Sequence, residues 1–423
     1  MLEGEVQRLL GKSFCSKWPN LLAGRAAAQA VDLESSFIER QIQLRIIMKT
    51  TLYTVLLSLL ISIPAQAAEN VVLITFGGLR WQETFRGIDR DLASSKQYTD
   101  KPDALLGEFW RSTASERAAV MLPFLYETVF PRGSVVGNRD YNSCARATNA
   151  NHHSYPGYSE ILTGVVNERI RNDGRVFNPE KSVLELLERR QEYLDGTAAF
   201  ASWNLFPFIY NVPRSGIHVN AHARETRPGN QNEEFLNQFQ ADVPDRWPGI
   251  RNDAFTHYFA KSWLLRQRPR MMHVAYSETE HYAREGSYDE YIKAAHRTDR
   301  FIADLWETIQ SIEGYRNNTV LFIAVDHGFG HDTVAGWQNH QQLHPSTRAS
   351  ISKLADSSTE PLPGTDATWM AAIGPGIRDQ GLIVTGDQCL TNNRIAATLL
   401  QVLGEDYRDM NHRMGAPMQA FLQ

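Results

Sequence analysis

Cysteine is scarce in this chain: three in 423 residues, with no CxxC pair and no Cys/His cluster of the zinc-finger type. A dithiol redox motif and a finger-like metal site are thereby excluded. Positive charge is in deficit as well. With 43 Lys and Arg against 48 Asp and Glu, the chain lacks the broad positive field that gathers nucleic acid, and no nucleic-acid partner is expected. No internal repeat is present, which argues against solenoids and propellers. The apolar run Leu52–Ile63 is too short to span a bilayer comfortably as a helix. What remains, 42% hydrophobic and 22% charged, is the composition of an ordinary soluble globular protein.

That apolar run has a telling setting. Met48-Lys49 precedes it and Pro64-Ala65-Gln66-Ala67 follows, which makes a positive start, an apolar stretch and an A-x-A end, the parts of a secretory signal peptide. Met48 is a natural start, so residues 1–47 read as an upstream extension, 48–67 as the signal peptide and 68–423 as the mature domain. Cleavage after Ala67 leaves 423 − 67 = 356 residues, enough for one large α/β domain or two smaller ones. The removed part holds seven Lys/Arg and five Asp/Glu, so the mature charge is (43 − 7) − (48 − 5) = −7. The expected destination is secreted or periplasmic, with no stable membrane span after cleavage. Cys144 and Cys389 remain and can pair in an oxidising compartment, although their spacing does not show it.

Along the mature chain, apolar β-branched runs alternate with helical patterns. Val71–Phe76, Thr197–Trp203, Met271–Tyr276, Thr319–Val325 and Thr368–Ile373 read as strands, the most apolar of them buried on both faces. Lys181–Tyr193, Asp253–Gln267, Tyr288–Ile312 and Asn393–Leu403 read as helices. Residues 206–249 turn polar and are expected to form a cap inserted over the sheet. Its Arg224, Arg227 and Trp247, with Arg251 just beyond, suit either a surface for anions or sugars or a solvated loop. Leu343–Pro363 reads as a long surface loop. Strands alternating with helices predict a mostly parallel sheet in a layered α/β fold, with ligands at the carboxyl ends of the strands.

Asn151–Gly164 (NHHSYPGYSEILTG) is the stretch with most chemical content. Pro156 suits the first turn of a helix that Gly164 would end. The Ser154 hydroxyl then sits at a helix N-terminus, where free N–H groups and the dipole favour an anion. Such a serine either caps the helix or attacks a phosphoester. At the strand exits stand Asp326-His327-Gly328, Ser277 to Arg284 (SETEHYAR) and Gly77-Gly78-Leu79-Arg80. Asp and His are ordinary zinc ligands, and equally ordinary turn residues.

Five blocks in order, VVLITFGGLRWQETF, NHHSYPGYSEILTG, AYSETEHYAREGSYDEYI, FIAVDHGFG and WMAAIGPGI, resemble the alkaline phosphatase superfamily, in the branch of type I phosphodiesterases and nucleotide pyrophosphatases. They extend over nearly all of the mature chain. The resemblance implies an αβα sandwich around a mostly parallel sheet, two divalent metals (usually zinc; manganese or magnesium as alternatives) and a nucleophile that forms a phosphoenzyme. Carried over by position, Ser154 matches the nucleophile, and Asn151 or a neighbour helps to bind the phosphoryl group. Asp326 and His327 match ligands of the metal beside the nucleophile. Glu280 and His340 match ligands of the other metal, with His344 as the fallback.

Three positions depart from the family. Gly77 stands where relatives have a metal-binding Asp, so that ligand is lost. Glu280 replaces an Asp and reaches one methylene further. Arg284 replaces a His and cannot donate a lone pair to a metal. Its charge repels a cation beside it, yet its guanidinium can hold a phosphate or carboxylate in place of that metal. Phe329 falls where relatives often have Arg. Three readings follow. The chain is a degenerate relative that retains an anion-binding pocket for a small phosphorylated ligand; or an active one-metal phosphodiesterase or phosphatase with Ser154 as nucleophile and Arg284 as metal surrogate; or a non-catalytic partner-binding protein. A sulfatase is disfavoured because Ser154-Tyr155-Pro156-Gly157 is followed by Tyr158 rather than Arg.

Overall fold

The computed structural model describes residues 67–222, 229–330, 336–338 and 364–423, with scattered positions between 37 and 49. The chain divides into two compact units, Met1–Pro64 and Ala65–Gln423. In the first, residues 43–46 are helical and exposed. The second carries every element named below. Most of the signal segment, His340, His344, Arg224, Arg227 and the 343–363 loop lie outside the described residues.

Eight strands form the main sheet: β1 (Asn70–Phe76), β2 (Ser134–Val136), β3 (Thr197–Ala201), β4 (His218–Ala221), β5 (Met271–Tyr276), β6 (Thr319–Val325), β7 (Met370–Ile373) and β8 (Gly381–Leu382). Their spatial order is β8-β2-β7-β6-β1-β5-β3-β4. All pairings are parallel except the two that β7 makes, with β2 and β6. The period-2 geometry of β1 explains why its run is apolar throughout. Val72, Ile74 and Phe76 enter one core while Val71 and Leu73 enter the other. Both faces are therefore covered, as the expected αβα sandwich requires.

Six helices matter to the site: α1 (Ser154–Thr163), α2 (Gln231–Asp242), α3 (Asp253–Gln267), α4 (Glu278–Glu285), α5 (Tyr288–Ser311) and α6 (Ile395–Val402). Residues of α3 and α5 pack with Val72 and Ile74, and those of α1 and α6 pack with Val71 and Leu73. Helix α1 is buried along its whole length and ends at Gly164 in the left-handed region, as the motif predicts. Its first turn lies hard against the end of β6. A Cβ on Gly157 would come within 2.6 Å of the Asp326 carbonyl oxygen, so only glycine allows this approach.

Two expectations are corrected. The segment 206–249 is not wholly a cap: His218–Ala221 pairs in parallel with β3 and forms the edge of the main sheet. Its polar flanks conceal it, since an edge strand needs little apolar sequence. The predicted strand Thr368–Ile373 is broken at Trp369. Ala367–Thr368 joins a small second sheet with Ala145–Arg146 and Leu390–Thr391, and Met370–Ile373 joins the main one. Trp369 is fully buried, donates its indole N–H to the Leu79 carbonyl and packs against Phe76.

Candidate active site

The carboxyl ends of β1, β5 and β6 lie side by side, because these three strands are neighbours in the sheet. Gly77, Ser277 and Asp326 therefore leave the sheet together. Gly78 N–H donates to Asp326 Oδ1 (3.0 Å), as does the His327 N–H (2.9 Å), which fixes the Asp326 carboxylate across the strand ends. Asn392 donates to the carbonyl of Val325 and holds this exit from behind.

Helix α1 brings Ser154 to the same place. His153, in an extended conformation, is the N-cap, so Ser154 is the first helical residue and its hydroxyl caps nothing. Instead Ser154 Oγ lies 2.9 Å from both oxygens of Glu280 and 3.2 Å from His327 Nε2. Asp173 does the capping, accepting the Tyr155 N–H (2.9 Å), with the His153 ring 3.7 Å from its other oxygen. Burial alone would raise the Asp173 carboxyl, but the His153 ring and this N–H hold it below the usual value.

Helix α4 supplies Glu280. Asp253 secures its start by accepting the N–H groups of Ser277 (2.9 Å) and Glu278 (3.1 Å). One turn after Glu280, Arg284 places a guanidinium nitrogen 3.5 Å from Glu280 Oε1 with its side chain 43% exposed. It thus faces both the cluster and solvent. Trp247 and Arg246 pack over this helix, both donating to the Glu285 carboxylate (2.6 and 2.8 Å), while Trp247 stacks on His281. Trp247 is thus held against the fold rather than in a solvated loop. Arg251, expected near the surface, is 1% exposed and donates to Thr256 and the Asn220 carbonyl.

The three acidic and imidazole side chains form one group. Ligand-type atoms of Glu280, Asp326 and His327 lie within 4.8 Å of one another, all buried. Burial pushes the Asp326 carboxyl up to about 7, in spite of His327 beside it and with Glu280 adding to the rise. Burial would lower the His327 imidazole, but Asp326 and Glu280 outweigh it and the group is raised. Among the described residues, Asp326 Oδ2 is buried and accepts no hydrogen bond, with His327 Nε2 3.5 Å away. An orphaned carboxylate oxygen beside an imidazole and a second carboxylate is a donor set that fits a divalent cation.

The structure therefore brings together Ser154, Glu280, Asp326, His327 and Arg284. Glu280 thus stands beside Asp326 and His327, while His340, expected to join it, lies outside the described residues. Asn151 lies three residues before Ser154, its N–H bonded to Asn149 Oδ1 and its carbonyl accepting the His153 N–H. Phe329 is buried, its ring edge-on to His327. Sequence reasoning missed Asp173, Asp253 and Asn392, whose roles as caps and props depend on chain segments far away. Cys144 and Cys389 are joined in a disulfide.

The fold is alkaline-phosphatase-like, a layered α/β domain with a cluster of polar side chains at the carboxyl ends of its central strands. Within it, residues 153–349 match the family of type I phosphodiesterase / nucleotide pyrophosphatase, bearing out the resemblance drawn from the motifs. No curated protein sequence matches the chain. Among solved structures, the alkaline phosphatase PafA is similar with a TM-score of 0.50 at 9% identity, over 85% of this chain and 99% of that one. The phosphonate monoester hydrolase SpPMH from Silicibacter pomeroyi gives 0.49 at 12%, over 84% and 76%. The lipoteichoic acid synthase LtaP from Listeria monocytogenes gives 0.48 at 11%, over 81% and 73%. The likeness to PafA is one of fold. Among the described residues, no helix is long and apolar enough to cross a membrane.

Proposed function

We propose that this protein is an exported phosphoester hydrolase, of phosphodiesterase or phosphatase type, in which Ser154 is the nucleophile and a single divalent cation assists. The observation that carries this reading is the Ser154 hydroxyl, buried at a helix N-terminus and shared between Glu280 and His327. Asp326, His327 and Glu280 would hold the cation, zinc by ligand type with manganese or magnesium as alternatives. When bound, the ion supplies positive charge that makes the serine hydroxyl easier to ionise and offsets charge building on phosphorus-bound oxygens.

The chain's own groups do the rest. Ser154 Oγ attacks phosphorus; the Oγ–P bond forms as the ester P–O bond breaks. Its proton passes to the Glu280 carboxylate, within 2.9 Å, and from there to the leaving oxygen, which departs as a neutral hydroxyl while the carboxylate is restored. The α1 N-terminus and the Arg284 guanidinium stabilise the non-bridging oxygens. Water then cleaves the phosphoserine and restores the hydroxyl. Export is supported by the leader-like segment and by the Cys144–Cys389 disulfide, a bond that persists in oxidising compartments.

A second reading is favoured by Gly77 and Arg284: the same pocket holds a phosphorylated or anionic ligand without turning it over. One experiment separates the two. Mature protein supplied with zinc or manganese should release nitrophenol from bis-(p-nitrophenyl) phosphate, and Ser154→Ala should abolish release. Phosphate binding without turnover in any of these metals would favour the second reading.

A further inference from the structure

The space beside Gly77 is already taken. A Cβ built on Gly77 would lie 3.2 Å from Glu280 Cβ and 3.3 Å from Glu280 Oε2. Both oxygens of that same carboxylate are 2.9 Å from Ser154 Oγ, and it belongs to the cluster with Asp326 and His327. The backbone at Gly77 has no positive φ, so a side chain is conformationally permitted there, and the Glu280 side chain is what fills the room it would use.

We propose that Gly77 and Glu280 are a spatially exchanged pair: the Glu280 side chain crosses the gap left by Gly77 and delivers, from helix α4, the carboxylate that a side chain at the end of β1 would otherwise provide. The inference rests on the metal-assisted reading above and deepens it. Its consequence is a mononuclear centre. The one carboxylate of Glu280 is committed to the Ser154 side, and the Arg284 guanidinium stands 3.5 Å from Glu280 Oε1 on its outer flank. A second divalent cation placed beside Arg284 would meet a fixed positive charge with no carboxylate from Glu280 left to balance it. The length of the side chain is part of the device. An aspartate at 280 would draw the carboxylate back by one methylene, away from Asp326 and His327.

The test is a carboxylate swap, read by calorimetric titration of zinc and of manganese into chelator-stripped protein, with metal content per chain as the stoichiometry. Wild type should bind about one ion. Glu280→Ala should weaken binding by more than the roughly 10–100-fold that an outer-sphere change costs. Adding Gly77→Asp to Glu280→Ala should restore at least about tenfold of that loss, because the carboxylate returns to the same place from the other side. Restoration cannot arise from a merely destabilised fold, and a thermal melt of each variant confirms that the compared proteins are folded. A double variant that binds no more tightly than Glu280→Ala overturns the proposal, as does a wild type that binds two ions or none. The outcomes also separate this proposal from the hydrolase reading. One ion with swap rescue but no ester cleavage would leave the exchanged pair standing and remove the activity. Cleavage that persists in chelator would do the reverse.

Discussion

Replacing Gly157 with alanine tests the contact that aims the site. The added methyl would lie 2.6 Å from the Asp326 carbonyl oxygen and 3.0 Å from its carbon, where ordinary contact begins at 3.4 Å. The obstacle is strand-end backbone, so helix α1 must withdraw by about 3.4 − 2.6 = 0.8 Å, or β6 must yield. Overpacking of this kind costs about 1–3 kcal/mol, partly offset by the 0.5–1 kcal/mol that alanine gains over glycine in a helix. Gly107 provides the control. It is an exposed position of the helix Pro102–Phe109, with nothing among the described residues within 4 Å of its absent Cβ, so Gly107→Ala should show the helical gain alone. Urea denaturation of both variants isolates the steric term as their difference, expected at about 1–3 kcal/mol. The same retreat carries Ser154 Oγ out of reach of Glu280 and His327, and a displacement near 1 Å can lower turnover by about 100-fold. If the two alanine variants shift stability in the same direction by the same amount, the close approach does not govern this site.

Three further outcomes are expected. Glu160, fully buried, accepts from Thr148 N–H and hydroxyl, Asn149 N–H and side-chain amide, and Asn393 N–H; Glu160→Ala should cost about 3–4 kcal/mol in denaturant melts, and a loss below about 1 kcal/mol would show those donors find other partners. The Cys144–Cys389 disulfide closes a separation of 245 residues, so the double serine variant should lose about 2–5 kcal/mol, matched by adding reductant to wild type and by nothing when reductant is added to the variant. His273, held between Thr75 Oγ1 and Tyr210 Oη, has its imidazole pushed down to about 3 by burial. Between about pH 6.5 and 3 its unfolded form binds a proton that the folded form refuses, so its contribution is full above about 6.5 and is lost as pH falls. Near pH 5, wild-type stability should fall more steeply than that of His273→Gln by about 1.4 kcal/mol per pH unit; equal slopes would contradict the burial argument.

Much of the framework was legible because it is written in local pattern. The central strands are apolar on both faces and β-branched, and they appear within a residue or so of the expected bounds. Helix α3 appears as Asp253–Gln267, and α1 stops at Gly164 because a left-handed residue there needs no Cβ. The edge strand β4 was hidden, since pairing on one side imposes little on its composition. Ser154, Asp326 and His327 were legible as motif positions at strand and helix ends, where chain geometry alone puts side chains at a sheet's carboxyl edge.

The sequence by itself determined the layered α/β class, the family resemblance, and which residue types stand at the mouth of the sheet. It also showed that Gly77 and Arg284 cannot hold a metal, since that follows from side-chain chemistry alone. Only the tertiary structure decided which groups act together. Gly77 and Glu280 are about two hundred positions apart, and their relation depends on β1 pairing with β5, on α4 starting where Asp253 caps it, and on α1 approaching through Gly157. A carboxylate's reach is set by angstroms of backbone placement, and no spacing along the chain encodes that distance.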